Sequence, residues 1–379
     1  MTASSPHSVA TPAGGLRGAI GPSDLRLFGL CAAGLAASFA TDVIDVGRVV
    51  PFVVSAVALA LLASLVGHAV DALGDRLGAG ATGVLQSALG NLPELFVCIF
   101  ALRAGLYDVV RAALVGSVLA NVLLILGLAF VVGGIKHGTQ RFGAGRARTI
   151  SLLLALSVAA WLIPSLTAAL HTPASGHEQV LSVVTSILLL LLFALSIPAS
   201  IARDDGEGDA EPVTETAPTD EAVPEVRWPI WFAIAVLAVA GVGAAFVSDW
   251  FVAALTPAMA AVHISEAFAG LVVVAIAGNA VENVVGIQLA ARNQADYALS
   301  VILQSPVQIA LVLAPVLVLA APLVGAAGFT LVLPPLLIAA LVMAVIVTVI
   351  VVFDGESTWY EGVTLVALYG IVAAAFWWG

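Results

Sequence analysis

The sequence predicts an all-α polytopic membrane protein of about eleven transmembrane helices, one leading helix followed by two inverted five-helix repeats. Three observations carry that prediction. Of the 379 residues 61% are hydrophobic and 10% are charged, with a mean hydropathy of +1.12; that balance suits helices facing lipid and no soluble domain of this length needs it. The apolar residues fall into runs of roughly 20, the length that crosses a hydrocarbon core of about 30 Å. Finally, Gly90-Asn91-Leu92-Pro93-Glu94 in the third run is echoed by Gly278-Asn279-Ala280-Val281-Glu282 in the eighth.

In chain order the runs cover 24–44, 49–69, 79–103, 108–134, 149–170, 178–201, 229–248, 264–291, 295–324, 328–353 and 359–378. Residues 1–22, rich in Ser, Pro, Gly and Ala with no signal-peptide layout, read as a disordered tail. Residues 23–46 form an extra first helix, 47–202 the first five-helix repeat and 229–379 the second. Between them lies 203–228, a hydrophilic, Pro-containing linker. The net charge of −11 is concentrated there: 204–225 holds nine acids and no base, and the remaining fifteen acids nearly balance thirteen bases. No basic tract or face offers a nucleic acid a surface. Cys31 and Cys98 stand far apart inside apolar runs and read as small core residues.

Orientation follows from the excess of Lys and Arg in cytoplasmic loops. With the N-terminus inside, ten bases (Arg17, Arg26, Arg76, Lys136, Arg141, Arg146, Arg148, Arg203, Arg227 and Arg292) face the cytoplasm, and three (Arg48, Arg103 and Arg111) face out. The linker is then cytoplasmic and the C-terminus outside, in a plasma (inner) membrane. Five crossings separate the third helix from the eighth, so the two acid-bearing helices enter from opposite faces, the layout of inverted-repeat transporters with a site at the repeat interface.

The chemistry concentrates on those acids. A charge at the centre of a membrane helix costs roughly 2.5–3.5 kcal/mol on insertion scales, so Glu94 and Glu282 suggest an ion or proton pathway. An acid held by a neighbouring helix is the bland alternative, weakened by the matched spacing. The amides Asn91 and Asn279 precede the acids, and Ser117 and Ser305 follow each acid by the same 23 residues. Asn121 and Gln308 come next. These six are read either as ligands and site-shapers or as polar links between helices. A set of oxygens without thiol or imidazole suits a hard cation such as Ca²⁺, which takes 6–8 oxygens at about 2.3–2.6 Å. Mn²⁺ and Na⁺ also accept oxygen ligands, so ligand type leaves the ion open.

Gly90-Asn91-x-x-Glu94-Leu95, Gly116-Ser117-x-Leu119-x-Asn121 and Gly278-Asn279-Ala280-x-Glu282 resemble the paired repeats of the cation/Ca²⁺ exchanger superfamily. Ile264-Ser265-Glu266-Ala267-Phe268-Ala269-Gly270 and Asp354-Gly355-x-Ser357-x-Trp359-x-Glu361-Gly362 are similar to its Ca²⁺/H⁺ antiporter branch. The resemblance runs from about residue 60 to the end. It implies a sodium/calcium exchanger-like fold that exports Ca²⁺ against H⁺, with the two repeat glutamates carrying both ions and no cofactor. Differences from that branch are Asn283 where it tends to have His, Ala120 in place of a hydroxyl residue, and Gln304-Ser305-Pro306 in place of a Gly-Ser-Ser run. Pro93 resembles the Pro-Glu of sodium-coupled exchangers.

The expected mechanism is competition at one site. With Ca²⁺ bound, Glu94 and Glu282 are ionised; when it leaves, protons relieve their mutual repulsion in a poorly solvated cavity. Asp71 and Asp249, placed near the ends of the second and seventh helices, and His68, one turn before Asp71, are either solvated interfacial residues or an access route for ions and protons. The acidic linker is either a plain connector or a strip that gathers cations. Rival readings are Na⁺/Ca²⁺ exchange, monovalent cation/H⁺ antiport and a passive channel. A Mg²⁺-dependent membrane enzyme is the different-class alternative, but Asp204-Asp205 lacks the apolar helix and basic partners for it. No Gly-Lys-Ser/Thr phosphate loop points to ATP-driven pumping.

Overall fold

The first and last helices begin where the sequence supplies a starter. In the computed structural model, which describes residues 20–77, 89–204 and 228–378, α1 (Pro22–Val43) has Pro at its first position, where the missing N–H costs nothing. The Asp24 carboxylate accepts the Gly21 N–H at 2.9 Å. The last helix, α12 (Trp359–Phe376), opens with a capping box in which Thr358 and Glu361 satisfy each other's backbone N–H groups. Between them run α2 (Val50–Leu77), α3 (Leu92–Arg103), α4 (Tyr107–His137), α5 (Ala144–Ala169) and α6 (Glu178–Asp204). The later helices are α7 (Ile230–Val262), α8 (Glu266–Gly278), α9 (Ala280–Ala291), α10 (Ala295–Val324) and α11 (Pro335–Val351). Among the described residues, eight helices are long and apolar enough to cross a membrane, and Glu266–Gly278 and Pro335–Val351 are shorter apolar helices.

Two helices are broken, each at an asparagine. Asn91 precedes α3 with φ −92° and ψ 17°, and Asn279 precedes α9 with φ −105° and ψ 17°. Each break is followed by a helix of 12 residues, and the step from 92 to 280 equals the step from 103 to 291. Three π-turns, rare and frequent at functional sites, interrupt the other rods: Ala120–Ile125 in α4, Ala269–Val274 in α8 and Ile309–Leu313 in α10.

Glycines set how closely the central rods approach. A Cβ on Gly116 of α4 would overlap the Leu271 backbone of α8, and one on Gly270 of α8 would overlap the Val109 carbonyl. Small residues serve this purpose in membrane helices, where packing rather than hydrophobic exclusion drives association. Gly127 and Gly362 do the same for α4 against α12. The core is thus α4 and α10, wrapped by the rest.

At one end a polar clasp joins the two halves. β1 (Gln140–Arg141) pairs antiparallel with β2 (Glu356–Ser357), and Arg141 meets Glu356 at 3.1 Å. The buried Gln140 amide donates to the Ala290 carbonyl at 3.1 Å and to Asn293 Oδ1 at 3.0 Å, at the C-terminus of α9. The Asp296 carboxylate accepts the Gly143 N–H. At that same end Trp228 Nε1 donates to Asp24 at 3.0 Å, bringing the start of α7 to the start of α1.

Several expected boundaries move. The seventh segment, expected to end at 248, continues to Val262, because the apolar pattern resumes after Asp249 and a Pro257 inside the helix does not end it. Asp249 therefore lies within α7, not near its end. The seven residues 328–334 before Pro335, read as part of a span from 328, are a loop. Pro334 and Pro335 bar helix upstream, while Phe329, Leu331 and Leu333 pack into the core. Its backbone is satisfied from neighbouring helices: Ser182 accepts the Leu331 N–H and Ser165 the Leu333 N–H, both at 3.0 Å. Arg111 donates to the Thr330 carbonyl at 3.2 Å. Hydropathy reported burial there, not helix. Residues 1–19 of the expected tail 1–22, and most of the linker, 205–227, lie outside the described residues.

Candidate ion-binding site

The breaks and π-turns converge on one buried polar cluster. Glu94 stands third in α3, just past the Asn91 break, and is 1% exposed. Its carboxylate accepts the Ser117 hydroxyl of α4. Ser117 Oγ in turn accepts Asn279 Nδ2 at 3.0 Å, and Asn279 Oδ1 accepts the Ser305 hydroxyl of α10 at 3.3 Å. One continuous hydrogen-bonded chain thus runs Glu94–Ser117–Asn279–Ser305, crossing once from the first half of the sequence to the second. Asn279 Nδ2 also donates to the Ala275 carbonyl at 3.0 Å, so the amide ties the broken end of α8 to the cluster.

Gly278 lies beside Glu94. A Cβ there would sit 3.6 Å from Cβ, Cγ and Cδ of Glu94, an ordinary van der Waals contact, so Gly278 faces the Glu94 side chain with room for a methyl group. Both Gly-Asn motifs therefore share one wall. The same holds at the π-turn of α8: the Ala275 N–H goes to Gly270 and Val272 carbonyls, bypassing Leu271, whose carbonyl faces Gly116 beside Ser117.

Asn121, 0% exposed, is the second residue of the π-turn of α4. Its Nδ2 donates to the Ser117 carbonyl at 2.9 Å, while its Oδ1 has no hydrogen-bond partner among the described residues. Leaving such an oxygen buried costs about 1–3 kcal/mol, a cost that a cation ligand would remove. Asn91 is buried with its Nδ2 also unpartnered among the described residues, and Gln308 is buried at the entrance to the π-turn of α10. Seven of the eight expected site residues are thus buried, and four are directly bonded in the chain. Glu282 stands third in α9, as Glu94 does in α3; its side chain lies outside the described residues.

The expected access residues lie apart from this cluster. His68 is exposed on α2 with Nδ1 2.7 Å from the Ser64 carbonyl, and Asp71 is exposed one turn later. Asp249 lines an open cleft of about 410 Å³ with Arg103, Leu106 and Thr256 at the far end of α3. Residue 249 stands roughly 30 Å along α7 from its start, about one hydrocarbon thickness, although the helix goes on. Sequence reasoning missed Thr348 of α11, whose hydroxyl donates to the Val122 carbonyl in the α4 π-turn at 3.3 Å. It missed Gly278 as the wall beside Glu94 as well. A lone hydroxyl in an otherwise apolar run was the available signal for Thr348.

The profile described as sodium/calcium exchanger protein matches residues 48–202 and 232–378, most of the chain, in two stretches. The chain belongs to that family. This sodium/calcium exchanger family member is an integral membrane protein. It is 35% identical over 357 residues to the Ca(2+)/H(+) antiporter ChaA of Bacillus subtilis (strain 168), covering 92% of this chain and 98% of the relative. A Ca(2+)/H(+) antiporter of Synechocystis sp. is 32% identical over 356 residues, covering 89% and 94%. The structure of native YfkE is similar with a TM-score of 0.77 at 32% identity, covering 93% of this chain and 99% of that one. That of the H+/Ca2+ exchanger CAX shares the exchanger fold, with a TM-score of 0.70 at 15% identity over 93% of this chain and 91% of that one.

Proposed function

We propose that this family member is a secondary antiporter that exports Ca²⁺ in exchange for H⁺ by alternating access. The carrying observation is the buried Glu94–Ser117–Asn279–Ser305 chain, which joins the two Gly-Asn motifs at one point. Relatives that bear the name Ca(2+)/H(+) antiporter at 32–35% identity over nearly the full length support the ion pair.

In this reading Glu94 and Glu282 are the paired carriers, with Asn91, Asn279, Ser117, Ser305, Asn121 and Gln308 as oxygen ligands or shapers of the cavity. The free Oδ1 of Asn121 supports a cation there. Ca²⁺ and protons exclude each other: the acids bind the ion when charged, and protonation lets the emptied site turn to the other side without buried charge. Glu94 is both acceptor and carrier, and Ser117 holds its carboxylate at the boundary between halves. Asp249, at the cleft beside the end of α3, serves as the outer approach, and Asp71 with His68 as the inner one.

The architecture in this reading is eleven crossings, a leading helix and two inverted five-helix repeats at 47–202 and 229–379. The matched 12-residue half-helices after Asn91 and Asn279, and the two stretches of the family match, support the division. The N-terminus and acidic linker are cytoplasmic, the C-terminus is outside and the membrane is the plasma membrane. The decisive experiment is transport in everted vesicles. An imposed pH gradient should drive Ca²⁺ uptake that Glu94→Gln abolishes. Uptake driven only by a Na⁺ gradient, or uptake indifferent to either gradient, would overturn the assignment.

A further inference from the structure

We infer that Thr348 of α11 is a positioning residue for the ion site, acting by capping the π-turn that carries Asn121; the inference rests on the ion-site reading above. Within Ala120–Ile125 the Leu126 N–H, which an α-turn would give to Val122, goes instead to the Asn121 and Leu123 carbonyls. The bypassed Val122 carbonyl, completely buried, receives the Thr348 hydroxyl at 3.3 Å from a different helix. The same proton also reaches the Ala344 carbonyl of its own helix at 2.8 Å.

The local bond to Ala344 is the ordinary behaviour of a Thr in a helix and by itself gives α11 no reason to carry a hydroxyl. Every other residue from Pro335 to Val351 is apolar. Thr348 is 1% exposed, so its hydroxyl is not there to meet lipid or water. Its position places the only polar side chain of α11 against the one backbone carbonyl that the π-turn bypasses, next to Asn121. If the turn relaxed to α-geometry, Leu126 would take the Val122 carbonyl back, and the helix below would rotate by about one residue's share of a turn, near 100°. The segment carrying Ser117 and Asn121 would then lose its register with the part of α4 below the turn, and so with the helices that complete the cluster. Thr348 therefore holds a ligand-bearing turn without touching the ion itself.

The test compares Thr348→Val, nearly the same shape without the hydroxyl, with Thr348→Ser, which restores it. Two measurements are made on each purified full-length variant. Amide hydrogen exchange over 120–126 should quicken several-fold in T348V and return to the wild-type rate in T348S. In proteoliposomes, T348V should raise the KM for Ca²⁺ about three- to tenfold with kcat within twofold of wild type, and T348S should restore it. Unchanged exchange in T348V overturns the cap, and so does T348S as impaired as T348V. Quickened exchange with unchanged KM overturns its role in positioning the site. A wild type without pH-driven Ca²⁺ uptake sinks the functional reading instead, while the exchange measurement still decides the cap.

Discussion

Asn279 Nδ2 lies 3.0 Å from Ser117 Oγ, a bond between side chains 162 residues apart that joins the two halves at the level of Glu94. The hydroxyl accepts from the amide and donates to the carboxylate, so its one proton and one of its two lone pairs are committed. Removing either end leaves a buried polar group unmet. Interhelical hydrogen bonds in membranes are worth about 0.6–2 kcal/mol. Ser117→Ala and Asn279→Ala should each weaken Ca²⁺ binding roughly three- to thirtyfold. Because they share one chain, the double variant should cost clearly less than the sum of the singles. Calcium titration of the three purified variants checks this, and strict additivity would refute the linkage.

Glu94 should be irreplaceable for exchange and separable from folding. Glu94→Gln keeps the shape and an acceptor for Ser117, so the variant should purify as a monodisperse protein with near-wild-type thermal stability. Its pH-driven Ca²⁺ uptake should fall at least a hundredfold. Glu94→Asp, one methylene shorter against Gly278, should retain a small fraction of the activity. Full uptake by Glu94→Gln would remove the acid from the mechanism.

Gly116 and Gly270 should tolerate no side chain. A Cβ at either meets backbone atoms of the opposing helix, which cannot swing aside as a side chain would. Overpacking costs about 1–3 kcal/mol for inserted methylenes, and a backbone overlap stands at the upper end. Gly116→Ala should lower the melting temperature by several degrees and reduce uptake, while Gly241→Ala, where a Cβ meets open space, should do neither. Fluorescence-detected thermal melts of the two variants make the comparison.

The Gln140 clasp should matter for the second acid helix. Gln140→Leu keeps the bulk but strips both bonds to the carbonyl end of α9, leaving Asn293 Oδ1 without its Gln140 donor and the Ala290 carbonyl with backbone donors such as the Asn293 N–H at 3.0 Å. Losing a buried bond of this kind costs about 1–3 kcal/mol. Hydrogen exchange at 288–293 should accelerate and uptake should drop, because α9 carries Glu282. Arg141→Ala, removing only an exposed ion pair with Glu356, should change stability by less than about 1 kcal/mol.

Composition and run length alone were enough for membrane class and helical fold, because lipid tolerates only backbone that bonds to itself. The echoed Gly-Asn-x-x-Glu motif was enough to single out Glu94, Asn279, Ser117 and Ser305, since a polar residue in an apolar run stands out without any coordinates. The sequence could not tell the loop at 328–334, with its buried Phe329, Leu331 and Leu333, from part of a span, because hydropathy measures exclusion from water and not backbone shape. Nor could it follow α7 past Asp249, where a charge after about one hydrocarbon thickness of helix looks like an ending.

What only the tertiary structure decided is which polar atoms meet. Side chains more than a hundred residues apart become neighbours through helix packing, and that depends on where glycines let backbones touch and where π-turns shift the helical register. Ser117 bonded to Asn279, Glu94 beside Gly278 and Thr348 over the Val122 carbonyl are consequences of that packing, invisible to spacing along one chain.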